Sequence, residues 1–197
     1  AEWKTLFDVE ITSPEMLTFE PFLVLDTKFF NESFKDRLLA EFDDLDQQTD
    51  GLLINSENFQ AMNIVFEKFK ESIGNVYIDP PYNSEQDRAQ GKFVYKDNFE
   101  SSSWLTMMED RIILLKELMN NDSNIFISID DNEVVNLKKL MDQVFDSDNF
   151  IDIFSWTRTL SPSNLSKKSK KILEFVLCYE KNKNKIKYIG LKSEAEN

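Results

Sequence analysis

Asp79, Pro80, Pro81 and Tyr82 are the residues of this chain whose types and spacing could do chemistry together. Proline fixes its own φ and pushes the residue before it toward extended geometry. Two prolines in a row therefore hold a stiff, extended corner, and they withhold two backbone N–H groups. What the corner offers is acceptors, the Asp79 carboxylate and the Pro80 carbonyl, with the Tyr82 ring beside them. Two acceptors next to an aromatic face suit a planar base that carries an amino group: the acceptors take its two N–H bonds and the ring stacks on its face. The alternative is a turn that only ends a strand, where Pro and Asp are common. A chance Asp-Pro-Pro-Tyr in a chain of this length has a probability on the order of 10⁻³.

The elements that must position this corner follow from periodicity. Val76-Tyr77-Ile78-Asp79 predicts a strand ending on the carboxylate. Upstream, residues 22–26 predict a short strand. Asn31 to Leu45 predicts a helix with Phe34, Leu38, Leu39 and Phe42 at helical spacing. Gly51 to Asn55 predicts a buried strand. Ser56 is expected to cap a helix carrying Phe59, Met62, Val65, Phe66 and Phe69, with Gly74 ending it. From Pro80 to about Glu100 the periodicity is lost, and a loop of that length is expected to be functional and mobile. Ser101 to Ser103 offer caps for a helix reaching about Asn121, with Trp104, Met108, Ile112, Leu115 and Met119 as its stripe. Residues 124–129 predict a strand. Asp130 is expected to cap the next helix, with Glu133 completing a capping box, and that helix runs to about Phe145. Strands are expected near Asn149–Trp156 and over Glu174–Tyr179. This alternation implies an α/β sheet with helices on its faces, in which ligands bind at the C-terminal ends of strands. Asp79 ends one such strand; Asp130 and Asp131 end another.

Composition removes several classes of chemistry. The chain of 197 residues has no His and one Cys, so a His-based triad, a His general base, a zinc ribbon and an internal disulfide are all excluded. No metal site is expected. The only glycines are Gly51, Gly74, Gly91 and Gly190, too dispersed for a phosphate-binding loop. No apolar run approaches the roughly 20 residues of a membrane span. The single Cys fits a reducing cytoplasm. Hydrophobic residues make up 41% and Phe alone numbers 17, enough for a core. The net charge of −13 weighs against phosphate binding and toward a protein or small-molecule partner. The charge is uneven: residues 41–50 are acidic, and residues 167–186 are basic, starting at Lys167-Lys168-Ser169-Lys170-Lys171. That basic block is either a solvated loop or a phosphate contact.

Ile78-Asp79-Pro80-Pro81-Tyr82-Asn83 resembles the catalytic motif of the amino-methyltransferases that act on DNA. The segments 23–30 and 50–62, then Phe93 to Asp97, Trp104 to Arg111 and Phe126 to Glu133, resemble in words, order and spacing the modification (Mod) subunits of type III restriction–modification systems. The resemblance covers roughly residues 20–182. It implies a partial S-adenosylmethionine-dependent, Rossmann-like methyltransferase fold of the β-class, with helices on both sheet faces. In that class the catalytic motif comes first, then the target-recognition region, then the glycine-rich cofactor loop. Residues 1–50 are then expected to be an N-terminal extension, and 51–197 the catalytic part, truncated before the recognition region and cofactor loop. The absence of an initiator Met fits a processed or excised piece, expected to be inactive alone.

The implied reaction is methyl transfer from S-adenosylmethionine to the N6 amino group of adenine in double-stranded DNA. Asp79, Pro80, Pro81 and Tyr82 are the implied catalytic residues; Glu57, Asn58 and Asp79 are implied at the cofactor; Asn83, Phe93, Tyr95 and Lys96 are implied at the substrate. The implied partners are DNA, a second copy of the full-length protein and the restriction (Res) subunit. For Glu57 and Asn58, helix capping is the competing reading; for Phe93 and Tyr95 it is packing; for Arg111 it is a salt bridge rather than a phosphate contact. Relatives often carry His before the Glu of the last strand, where this chain has Leu173 before Glu174. Three other functions stay open: a cytosine N4 methyltransferase, an RNA methyltransferase, and a non-catalytic fragment for dimerisation or docking to the restriction subunit.

Overall fold

In the computed structural model, residues 8, 10–20, 23–83, 101–158 and 172–183 are described. They divide into two units, 1–53 and 54–197.

The first unit contains two short helices and no strand among its described residues. Helix α1, Glu32–Leu39, is capped by the Asn31 side chain, which accepts from the Phe34 N–H. It stops well short of the expected Leu45, and the four-residue α2, Leu45–Gln48, restarts on an Asp44 cap. The expected strand at 22–26 is not present at its described residues; Asp26 instead caps a 3-10 turn at Thr27–Phe29. The expected buried strand at Gly51–Asn55 is also absent, and Leu53 is 97% exposed. Both were short apolar runs, and such a run becomes a strand only when another strand pairs with it.

The second unit holds the sheet. Helix α3, Asn58–Phe69, has Glu57 rather than Ser56 as its cap, through a hydrogen bond from the Gln60 N–H. It ends at Lys70, before Gly74, which lies inside strand β1, Ile73–Ile78. Then come α4, Ser101–Leu118; β2, Met119–Ile129; α5, Val134–Phe145; β3, Phe150–Thr157; and β4, Leu173–Glu180. The sheet order is β1-β2-β4-β3, with β1 parallel to β2 and both β4 pairings antiparallel. The α/β architecture thus follows the strand–helix alternation of the sequence.

Strand alternation sorts side chains onto two sheet faces. Val76, Ile125, Ile127, Leu177 and Tyr179 share one face and form the core with Trp104, Met108 and Ile112 of α4 and Leu137, Met141 and Phe145 of α5. Met108 of α4 and Met119, which opens β2 instead of extending the expected helix stripe, are core residues. On the other face the register aligns Tyr77, Phe126 and Cys178, with Val176 two residues along between Ser128 and Phe154. Tyr77 on that face is 64% exposed. Buried Cys178 behaves as a small apolar residue: desolvation pushes its thiol up to about 11, so it stays protonated.

Candidate active site

β1 ends at Ile78, and its parallel pairing with β2 sets Ile78 against Ile127. One residue further along each strand, Asp79 and Ser128 meet. The Ser128 Oγ donates to Asp79 Oδ1 at 2.7 Å and lies 3.3 Å from the Ile78 carbonyl. Ser128 is only 6% exposed, whereas the Asp79 carboxylate opens to solvent. A buried hydroxyl thus fixes one oxygen of an accessible carboxylate and leaves the group an acceptor.

The proline corner is pinned from below. The indole Nε1–H of Trp104, fully buried on α4, donates to the Pro81 carbonyl at 2.8 Å. Trp104 is therefore core, as its place in the apolar stripe indicates, and it also anchors the corner. Tyr82 packs against the core yet is only half-buried, so part of the ring remains uncovered. Desolvation pushes its hydroxyl up to about 12; a hydrogen bond with Ser128 opposes this, and the charges of Asp79 and Glu174 add to it. Tyr82 is therefore neutral across the ordinary pH range.

Asn83 follows in the left-handed region, φ 57°, a conformation that Asn tolerates better than most residues. Its buried Nδ2 donates to Glu133 Oε1 at 2.7 Å. Glu133 is not turned back in a capping box. Its second oxygen accepts from Asn136 Nδ2 at 2.7 Å, while the Asp130 carboxylate closes a turn on the Asn132 N–H and side chain.

Glu57 stands at the start of α3. Besides capping α3, it pairs with Arg111 of α4 at 2.5 Å, and this hydrogen bond holds its carboxyl below the usual range. Arg111 also donates to the Met107 carbonyl and lies 5.8 Å over the Phe59 ring, which ties α3 to α4. Its salt-bridge reading matches this placement. Asn58 is exposed at the first turn of α3. Phe93, Tyr95, Lys96 and the block from Lys167 to Lys171 lie outside the described residues.

The structure thus brings together Asp79, the two prolines, Tyr82 and Ser128 at the C-terminal end of a parallel strand pair. Asp131 is exposed and Asp130 half-buried at the adjacent end of β2. Ser128 was not singled out from the sequence. Its signal was a lone hydroxyl among Ile127 and Ile129, one residue before the end of the strand.

A family model described as DNA methylase, covering the N6 and N4 enzymes, matches residues 73–197. The chain belongs to this DNA methylase family. Its match to a probable type III restriction-modification enzyme HindVI Mod subunit from Haemophilus influenzae is 36% identical over 140 residues, covering 70% of this chain and 18% of that protein. The StyLTI Mod subunit of a type III system in Salmonella typhimurium is 30% identical over 158 residues, covering 66% of this chain and 24% of the relative. This DNA methylase chain therefore spans about a fifth to a quarter of the length of these relatives. Among solved structures, the M1.HpyAVI–SAM complex is 15% identical with a TM-score of 0.45, over 73% of this chain and 60% of the other.

Proposed function

We propose that residues 51–197 form the catalytic part of a DNA methyltransferase that transfers a methyl group from S-adenosylmethionine to the N6 amino group of adenine, as one half of a restriction–modification system. Residues 1–50 are its N-terminal extension. The observation that carries this reading is the Asp79 carboxylate, held by Ser128 at the open end of β1 beside the half-buried Tyr82 ring. The family match over residues 73–197 and the likeness to Mod subunits support it.

The acceptors act on the amino group. Asp79 and the Pro80 carbonyl take its two N–H bonds and aim the nitrogen lone pair outward, and Tyr82 stacks on the base, which must first leave the duplex. The un-ionised phenol keeps a second negative charge out of the stacking face. S-adenosylmethionine supplies an electrophilic methyl group on a sulfonium. The exposed acid Asp131, half-buried Asp130 and exposed Asp79 suit a positively charged cofactor better than a phosphate. Asp79, Asn58 and Glu57 are the residues proposed to hold it. Transfer would be a single in-line displacement in which the nitrogen–methyl bond forms as the carbon–sulfur bond breaks. The thioether product leaves, and the surplus proton of the amino group passes by way of Asp79 to water. Catalysis thus comes from positioning and from preorganised acceptors rather than from an enzyme nucleophile. Asn83, Phe93, Tyr95 and Lys96 are proposed along the substrate. The proposed partners are double-stranded DNA in the cytoplasm, a second copy of the intact protein, and a restriction subunit.

The test is transfer of labelled methyl from S-adenosylmethionine to mixed-sequence DNA by the intact protein, with the labelled base identified. Label on adenine that disappears in Asp79→Ala supports the proposal. Label on cytosine moves the reaction to N4, and no label on diverse DNA refutes the enzyme reading.

A further inference from the structure

Glu133 is buried, 3% exposed, and each of its oxygens accepts a hydrogen bond. One accepts from Asn83 and the other from Asn136, each at 2.7 Å. Asn83 is the residue immediately after Tyr82, and its backbone is in the left-handed region. Glu133 stands at the start of α5, a helix whose Leu137, Leu140 and Met141 are anchored in the core. The Asn83–Glu133 bond therefore joins the exit of the Asp79–Tyr82 corner to a rigid element 50 residues away in sequence. The entry side is joined by Ser128, and the middle by Trp104 to the Pro81 carbonyl.

We propose that Glu133 is a positioning residue for the methyl-transfer site, acting through Asn83 to fix the height and tilt of the Tyr82 ring. It does not touch the base itself. A carboxylate suits this role because it accepts from two amides at once, and a buried charge bonded to two donors is costly to misplace. Asn83 suits it because its amide supplies the donor while its backbone tolerates positive φ. The proposal rests on the methyltransferase reading for its kinetic consequence, but the latch itself is a geometric claim that can be measured without activity.

The experiment reverses donor and acceptor. In the intact protein, assayed in alkaline buffer so that the pair does not share a proton, Asn83→Asp places two carboxylates face to face. Glu133→Gln in the same chain restores one hydrogen bond with its direction inverted, since the Gln amide donates to the new carboxylate while its carbonyl still accepts from Asn136. The two readouts are kcat and KM for methyl transfer, and the nuclear resonance of the Trp104 indole N–H, assigned by its loss in Trp104→Phe. We expect Asn83→Asp to lower kcat by about 10- to 100-fold, with KM for S-adenosylmethionine little changed, and to shift the indole resonance. The double variant is expected to recover both. Two results overturn the proposal: Asn83→Asp leaving kcat and the resonance unchanged, or the double variant staying as impaired as Asn83→Asp while its thermal midpoint is restored. If the unsubstituted protein transfers no methyl group, the function proposal fails, and the indole resonance alone still decides whether the latch sets the corner.

Discussion

Replacing Ser128 with alanine removes one oxygen atom and tests whether the carboxylate of Asp79 must be held to work. The lost bond, 2.7 Å long, joins a neutral donor to a charged acceptor. Hydrogen bonds to charged groups contribute about 1.5–3 kcal/mol. Asp79 is open to solvent, so water takes over its freed oxygen and the cost falls to the low end. Ser128 also meets the Tyr82 hydroxyl and the Ile78 carbonyl, so global stability should fall by roughly 1 kcal/mol. The carboxylate, however, gains freedom to rotate away from the amino group. A loss of about 1.4 kcal/mol of transition-state stabilisation lowers kcat about tenfold. The assay is steady-state methyl transfer by the intact protein alongside its thermal melt. If kcat stays within about twofold of the parent, or falls only in step with a falling melting point, Ser128 is not an orienting group and the reasoning is wrong. In an Asp79→Asn background, the Ser128→Ala effect should largely vanish, because the two residues act as one unit.

Ultraviolet titration should find Tyr82 un-ionised well above pH 10. Its raised folded pKa, about 12 against 10.0, gives stability that is complete below pH 10 and lost as pH rises toward 12, so Tyr82→Phe should flatten alkaline unfolding there. Arg111→Ala should lower the thermal midpoint by about 2–4 °C, for roughly 1 kcal/mol lost from a partly exposed ion pair and its packing on Phe59. Because the Glu57 carboxyl is held low, the pair's contribution is present above about pH 4.5 and is lost as pH falls through its folded value; in Arg111→Ala the acid limb of a stability–pH profile should be shallower. Ile127→Ala, at the centre of the sheet and fully buried, should cost about 2–5 kcal/mol in urea unfolding.

Much of the second unit was legible in the sequence. The stripe Trp104, Met108, Ile112 and the run Ile125, Ile127, Ile129 each bury one face, so their periods survive into the structure. Asp79 could be set at a strand end because the two prolines stop the apolar run of Val76 to Ile78 directly after it. The first unit was less legible. Leu23-Val24-Leu25 and Leu52-Leu53-Ile54 carry the composition of strands, but pairing is a tertiary fact that composition does not contain. Helix caps misled by one residue at Ser56 because Glu57, drawn by Arg111 from 54 residues away, took the position. Ser128 and Glu133 were hidden for the same reason. Their partners Asp79 and Asn83 stand about 50 residues earlier, and only the register of β1 on β2 brings them into contact. Glu133 even fitted a local capping box, which its contacts with Asn83 and Asn136 replace.

Strand β1 has a single hydrogen-bonded neighbour in the described sheet, whereas β2 and β4 each have two. An end strand opens at a lower free energy than the interior, so local fraying exposes its amides before the whole unit melts. The corner of Asp79 to Tyr82 is the direct continuation of that strand. Mild denaturant should therefore silence the chemistry while β2, β4 and the helices on them still stand. The loss of function would then trace the opening of one strand, and the melt of the domain would come after it.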